Sequence, residues 1–121
     1  MVNLLRGSTI YAMCTKIIDG DTIEVKTIVK KQAYLLRIRL HGIDAPEMSR
    51  KNVNKDERVA ERVRAIASRD YLTKLVYDEE LIISFANLSS IQSYERYVGT
   101  VYKGEIDICQ KMLEVGHAKV Y

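Results

Sequence analysis

The stretch "RIRLHGIDAPE", Arg37 to Glu47, closes an alternating charged and apolar run by bringing an arginine, two carboxylates and a proline together. Two further segments carry charges of the same kind: Asp19 and Asp21 flank Gly20 in "IIDGDTIEV", and Arg96 stands in "SYERYVGTVY". Carboxylate oxygens such as those of Asp21 and Asp44, with a backbone carbonyl, suit Ca²⁺, which takes oxygen ligands in flexible geometry. A cation held there acts as a Lewis acid on a phosphate oxygen. Glu47 can then serve as general base on an attacking water, while the guanidinium forks of Arg39 and Arg96 hold the charge that develops on phosphorus. This is a set of parts for cutting a phosphodiester.

Each part alone has a plainer reading. Asp19 and Asp21 around a glycine are what any tight turn carries. Arg39 and Arg96 could be exposed strand charges, and Glu47 could be no more than an ion-pair partner of Arg39, at about 0–1 kcal/mol. The joint occurrence of all of them favours chemistry.

The elements that would position these residues follow from periodicity. Ile10 to Ile18 is rich in β-branched and apolar residues, breaks at Gly20 and resumes with Ile23 and Val25 in period 2, which is a hairpin signal with Asp-Gly as its turn. A third strand is expected from about Ala33 to Leu40, with Leu36, Ile38 and Leu40 on the core face and Arg37 and Arg39 on the other. Gly42 then interrupts it as a bulge or bend. Asp56 to about Val76 reads as a helix, with Val59, Val63 and Ile66 on one stripe. Leu81 to Phe85 reads as a strand, "NLSSIQS" as a loop and Tyr97 to Tyr102 as a strand. Asp107 caps a short helix carrying Ile108, Met112 and Val115, which Gly116 ends. The order suits a mainly β domain, a small closed five-stranded barrel with helices packed on it.

The segments "IIDGDTIEV", "RIRLHGIDAPE", "SYERYVGTVY" and "GEIDICQKMLEVGHAKVY", in this order, closely resemble the staphylococcal nuclease (thermonuclease) family, from about Thr15 onward and least between Ser49 and Gln92. The resemblance implies an OB-type five-stranded barrel with two or three packed helices. It also implies a Ca²⁺-dependent endonuclease of DNA and RNA that favours single strands and leaves 3′-phosphate ends. Carried over by position, the family's calcium carboxylates fall on Asp21 and Asp44, its carbonyl ligand on Ala45, its general base on Glu47 and its catalytic arginines on Arg39 and Arg96. One Ca²⁺ is implied. Asp19 matches the motif as a residue behind the metal ligands. Ala45 stands where the best-characterised member has threonine, a change that leaves a backbone oxygen in place. Tyr94 falls where a tyrosine helps bind the nucleotide phosphate, and Ser93 replaces a lysine of that pocket. The staphylococcal member continues past the position of Tyr121 through further pocket tyrosines and a C-terminal helix. Either Tyr121 forms part of the pocket wall by stacking on a base, or the rest comes from another subunit or a longer natural chain.

Arg50, Lys51 and Lys55 crowd the run "SRKNVNK" after Glu47 and are read as a basic, substrate-binding loop beside the carboxylates, against the plainer reading of a solvated loop. His41 is read as a partly buried structural residue and His117 as a helix-end residue. Tyr97 and Tyr102 are read as strand packing. A chain of 121 residues, 47% hydrophobic and 29% charged, is one ordinary globular domain, and a net charge of +3 points only weakly to an anionic partner. Cys14 and Cys109 show no metal spacing and read as buried thiols of a reducing compartment, with a single disulfide as the alternative. No segment approaches the roughly 20 apolar residues that a bilayer requires, and "MVNLLRG" is too short an apolar run for a signal peptide. The expectation is an intracellular protein with no membrane role, although a secreted chain trimmed of its leader would read the same. A catalytically inert nucleic-acid-binding or protein-interaction domain of the same fold is the alternative function.

Overall fold

A computed structural model of the protein describes residues 9–46, 54–85, 91–93 and 96–121, with 91–93 and 96 described by their backbone. Strands β1 (Thr9–Asp19), β2 (Thr22–Val29) and β3 (Gln32–Leu40) form an antiparallel meander. On the other side β1 pairs antiparallel with β5 (Glu80–Ser84), which pairs with β7 (Arg96–Lys103). A parallel pairing of β3 with β7, Arg37 opposite Arg96 through Leu40 opposite Gly99, closes the five strands into a barrel. The mainly β architecture expected from the sequence is the one found.

Alternation along the strands explains the core. Ile10, Ala12 and Cys14 of β1, Ile23 and Val25 of β2, and Leu36, Ile38 and Leu40 of β3 all point inward and are buried. They pack with Leu81, Ile83, Tyr97 and Val101 from the opposite wall. Thr27 also points inward, and its hydroxyl is satisfied by donating to the Tyr11 carbonyl at 2.8 Å.

The first hairpin differs in detail from the expectation. Its turn residues are Gly20 and Asp21, with Asp19 opposite Thr22. Gly20 is required by space: a Cβ there would collide with the Ser68 side chain and lie 2.8 Å from the Cβ of Ala45. At the β2–β3 turn Lys30 (φ 49°) and Lys31 (φ 68°) both adopt left-handed backbone, the pattern of a type I′ turn without its usual Asn-Gly. Gly42 (φ 78°) turns the chain out of β3 into the short β4 (Ile43–Asp44), so the expected bend is present.

Helix α1 (Lys55–Val76) is capped by Asn54, whose side chain accepts from Glu57 N at 2.8 Å. Its inward face is not the expected one. Val59 and Val63 are 58% and 62% exposed, and the helix buries Ala65, Ser68, Leu72 and Val76 instead. The reason is close approach: where α1 crosses the turn at Gly20 only small side chains fit, and residues 54–60 extend past the barrel with every side chain exposed. Of the expected loop "NLSSIQS", residues 87–90 lie outside the described residues, and Ile91–Ser93 form a strand, β6, paired with β7. Beyond β7, β8 (Ile106–Asp107) leads into helix α2 (Ile108–Glu114). Asp107 caps α2 by accepting from Gln110 N at 3.0 Å, and Ile108 and Met112 are fully buried. Val115, expected on the same face, is half exposed at the helix end. Strand β9 (Lys119–Val120) then pairs with β4, Ile43 opposite Val120 and Asp44 opposite Lys119. Among the described residues no helix is long and apolar enough to cross a membrane.

Candidate active site

Strand register brings the β1–β2 turn to the end of β3. Thr22 pairs with Arg39, and Leu40 N donates to the Asp21 carbonyl at 2.7 Å, so Asp21 and Arg39 meet although 18 residues separate them in the chain. Asp21 is buried and each of its oxygens has a donor. Thr22 Oγ1 donates to Oδ1 at 2.9 Å, and Ala45 N donates to Oδ2 at 2.9 Å. This second bond ties the first hairpin to the segment after β4. It places the Ala45 backbone beside the Asp21 carboxylate.

Arg39 leaves the core face, as its parity requires, yet its side chain is only 11% exposed. Its Nη1 donates to the Ile43 carbonyl at 3.0 Å, and its Nη2 reaches Asp44 Oδ1 at 3.4 Å and Asp21 Oδ2 at 3.6 Å. The Tyr121 ring covers the guanidinium, 4.7 Å from ring centre to the guanidinium carbon. Tyr121 is anchored by donating its backbone N–H to the Gly42 carbonyl at 3.0 Å, while its side chain remains largely exposed. One arginine therefore joins both carboxylates and the terminal aromatic ring.

Asp19 lies behind this group, accepting from Asp21 N at 3.1 Å through Oδ1. Burial, followed by the neighbouring Asp21 carboxylate, pushes the Asp19 pKa up to about 7. Burial also acts to raise Asp21. The hydrogen bonds from Asp19, the Ala45 N–H and the Thr22 hydroxyl, with the Arg39 charge, outweigh it and hold Asp21 below the usual carboxylate range. The two neighbouring acids are thus driven in opposite directions, Asp19 upward and Asp21 downward.

Among the described residues no three Asp, Glu, His or Cys side chains stand together as a metal cluster. What the structure assembles is smaller: Asp21 and Asp44 on one guanidinium, the Ala45 backbone against Asp21, and Asp19 in support. The carboxylates of this group offer oxygen donors only. Hard cations take oxygen donors of that kind.

Other expected site residues are placed in part. Arg96 opens β7 opposite Arg37, so its backbone lies on the strand next to Arg39, two residues away in register. Glu47, Arg50, Lys51 and Tyr94 lie outside the described residues. Lys55 is the exposed first residue of α1. His41, expected to be partly buried, is exposed. His117 stacks on Tyr71 at 4.9 Å, and its carbonyl accepts from Ser68. Two contributors escape a reading by charge: Thr22, which orients Asp21, and Gly20, which lets α1 and Ala45 close in on the turn. The threonine that directly follows Asp21 was the available signal for the first.

Residues 37–121 match the model of a family described as "Staphylococcal nuclease homologue". An uncharacterized protein of Methanocaldococcus jannaschii is 28% identical over 127 aligned residues, which cover 92% of this chain and 59% of that protein. The chain spans about three fifths of the length of this curated relative.

Proposed function

Since this chain belongs to the staphylococcal nuclease family, we propose that it is a Ca²⁺-dependent endonuclease that hydrolyses phosphodiester bonds of DNA and RNA. Single strands are its preferred substrate and 3′-phosphate ends its products. The observation that carries this reading is the Arg39 side chain, nearly buried yet turned out of the core and shared by Asp21 and Asp44. A guanidinium fixed in that way is preorganised for an anion, because little freedom is left to lose when a phosphate arrives.

Asp21, Asp44 and the Ala45 carbonyl would hold one Ca²⁺, with Asp19 supporting Asp21. When bound, the ion supplies Lewis-acid polarisation of a phosphate oxygen and charge neutralisation. The protein's own residues have separable tasks. Thr22 and the Ala45 N–H occupy one lone pair on each oxygen of Asp21 and so aim the remaining ones. Arg39 has five N–H donors, and its long contacts to the two carboxylates leave donors for a phosphate. Arg96, from the adjacent strand, is the second cation for the phosphate, and Glu47 takes a proton from the attacking water. The water oxygen bonds to phosphorus as the bond to the 5′ oxygen breaks, and that oxygen leaves as a hydroxyl after gaining a proton.

The test is incubation of single-stranded DNA and of RNA with Ca²⁺, with Mg²⁺ and with chelator, with product ends identified. Cutting is expected with Ca²⁺ and little with Mg²⁺, whose octahedral demands are stricter. Equal rates with both ions would remove the calcium assignment. No cutting by folded protein would leave the inert binding domain as the function.

A further inference from the structure

The site described so far accounts for one phosphate, and a cavity of about 380 Å³ lies beside it. This volume is in the usual range for small-molecule pockets, about 300–1,000 Å³. Asp44 and Ala45 line the cavity as well as the carboxylate site. Its remaining walls are Pro46, the Glu61 and Arg64 pair of α1, and residues 116–119. α1 thus forms one side of it, and the segment that leads into β9 another.

Its chemistry is specific in kind. Arg64 is 61% exposed, and Glu61 fixes it at 2.8 Å one helical turn away. Lys119 faces the cavity from β9 and is placed directly across from Asp44 by strand register. Arg64, paired with Glu61, and Lys119, opposite Asp44, thus both line the cavity that Asp44 and Ala45 share with the carboxylate site. Ala45, Pro46 and Ala118 add small apolar surface to a lining that is otherwise polar. A flat ring with an anionic ester beside it matches that pairing.

We propose that this cavity is the subsite for the nucleotide flanking the scissile phosphate of a single strand. Its base lies against Pro46 and Ala118, and the next phosphate along the strand lies between Arg64 and Lys119. The assignment rests on the nuclease reading for the position of the reacting phosphate. Glu61 is a positioning residue that acts through Arg64.

The test uses the double variant Arg64→Ala/Lys119→Ala, both positions being exposed, and the control Lys74→Ala, ten residues and about 15 Å further along α1. A fluorescent single-stranded hexanucleotide is titrated in chelator, so that binding is read without cleavage. The double variant is expected to bind about tenfold more weakly. Its dependence of log affinity on log salt should shrink by about 0.7, the change for one phosphate no longer neutralised on a single strand. Lys74→Ala is expected to match the parent. In Ca²⁺ the double variant should show a raised KM with kcat unchanged. Unchanged binding, an equal loss in Lys74→Ala, or no hexanucleotide binding by the parent overturns the subsite. A parent that binds but does not cut overturns the nuclease reading instead, and the subsite is then judged on the binding titration alone.

Discussion

Arg39 carries two tasks that substitution can separate. Asp21 is buried against it, and removing one partner of a buried charge pair costs about 3–5 kcal/mol because the other is left uncompensated. Arg39→Ala should therefore lower unfolding stability by an amount of that order at neutral pH, measured by denaturant titration. Arg39→Lys keeps the charge but loses the planar fork that reaches Ile43, Asp44 and Asp21 together. It should retain most of the stability and lose most of the cleavage. Glu47→Gln removes the proposed proton acceptor and is expected to reduce turnover by about 10² or more with Ca²⁺ affinity largely kept. Turnover equal to the parent's would move the general base elsewhere. The charges of Arg39, Asp21, Asp44 and Glu47 are legible in the sequence, because they are given by residue type alone. Of the donors that aim Asp21, Thr22 follows it directly in the sequence, whereas the backbone N–H of Ala45 has no signature in the residue names.

Helix α1 shows how an element can be recognised and still be turned the wrong way. Its length and its Asn54 cap are local properties, so the helix is readable from Asp56 to Val76. Its inward face is a tertiary property. Val59, Val63 and Ile66 form the bulkiest stripe, yet the helix meets the β1–β2 turn so closely that Ala65 and Ser68 must face inward. Val63→Lys should accordingly change stability by no more than about 0.5 kcal/mol. Gly20→Ala, which adds a single carbon, should cost about 1–3 kcal/mol through overpacking against Ser68 and Ala45. Thermal or denaturant melts of the two variants compare these directly. If Val63→Lys proved the more damaging, the described face of α1 would be wrong. The β2–β3 hairpin offers the converse case. Lys30 and Lys31 both hold positive φ, which costs an L-residue roughly 1–2 kcal/mol each. Lys30→Asn with Lys31→Gly should raise the denaturation midpoint, with a gain of about 1 kcal/mol.

Closure of the barrel is a property of the whole molecule, and its two thiols can report on it. Cys14 on β1 and Cys109 on α2 are buried and unpaired with each other, as expected from the sequence. Burial pushes each up to about 11. At pH 8 neither should react with a thiol reagent until denaturant opens the barrel, when both should react together. The alkaline limb of stability follows with a defined sign. An exposed thiol ionises near 9.0 and the folded ones near 11, so the folded state holds more protons between those values. Stability should fall as pH rises through that window. Replacing both cysteines with alanine should flatten the decline. The same closure brings β7 beside β3, which sets Arg96 on the strand adjacent to Arg39 from a position far along the chain.

The sequence by itself determined what is periodic or chemically obligatory. Alternation in β3 assigns Leu36, Ile38 and Leu40 to the core and sends Arg39 outward, and both follow from backbone geometry within one strand. The acid and arginine set is equally plain, because charge is given by residue type, and the proposed hydrolysis of a phosphodiester calls for oxygen donors and cations of those kinds. Only the tertiary structure decided which of these residues meet. Asp21 reaches Arg39 through the pairing of β2 with β3, Asp44 faces Lys119 through β4 and β9, and Tyr121 reaches Arg39 through its bond to Gly42. Each contact joins residues distant in the chain, and register and close packing are settled jointly by many side chains. No local window of sequence contains that information.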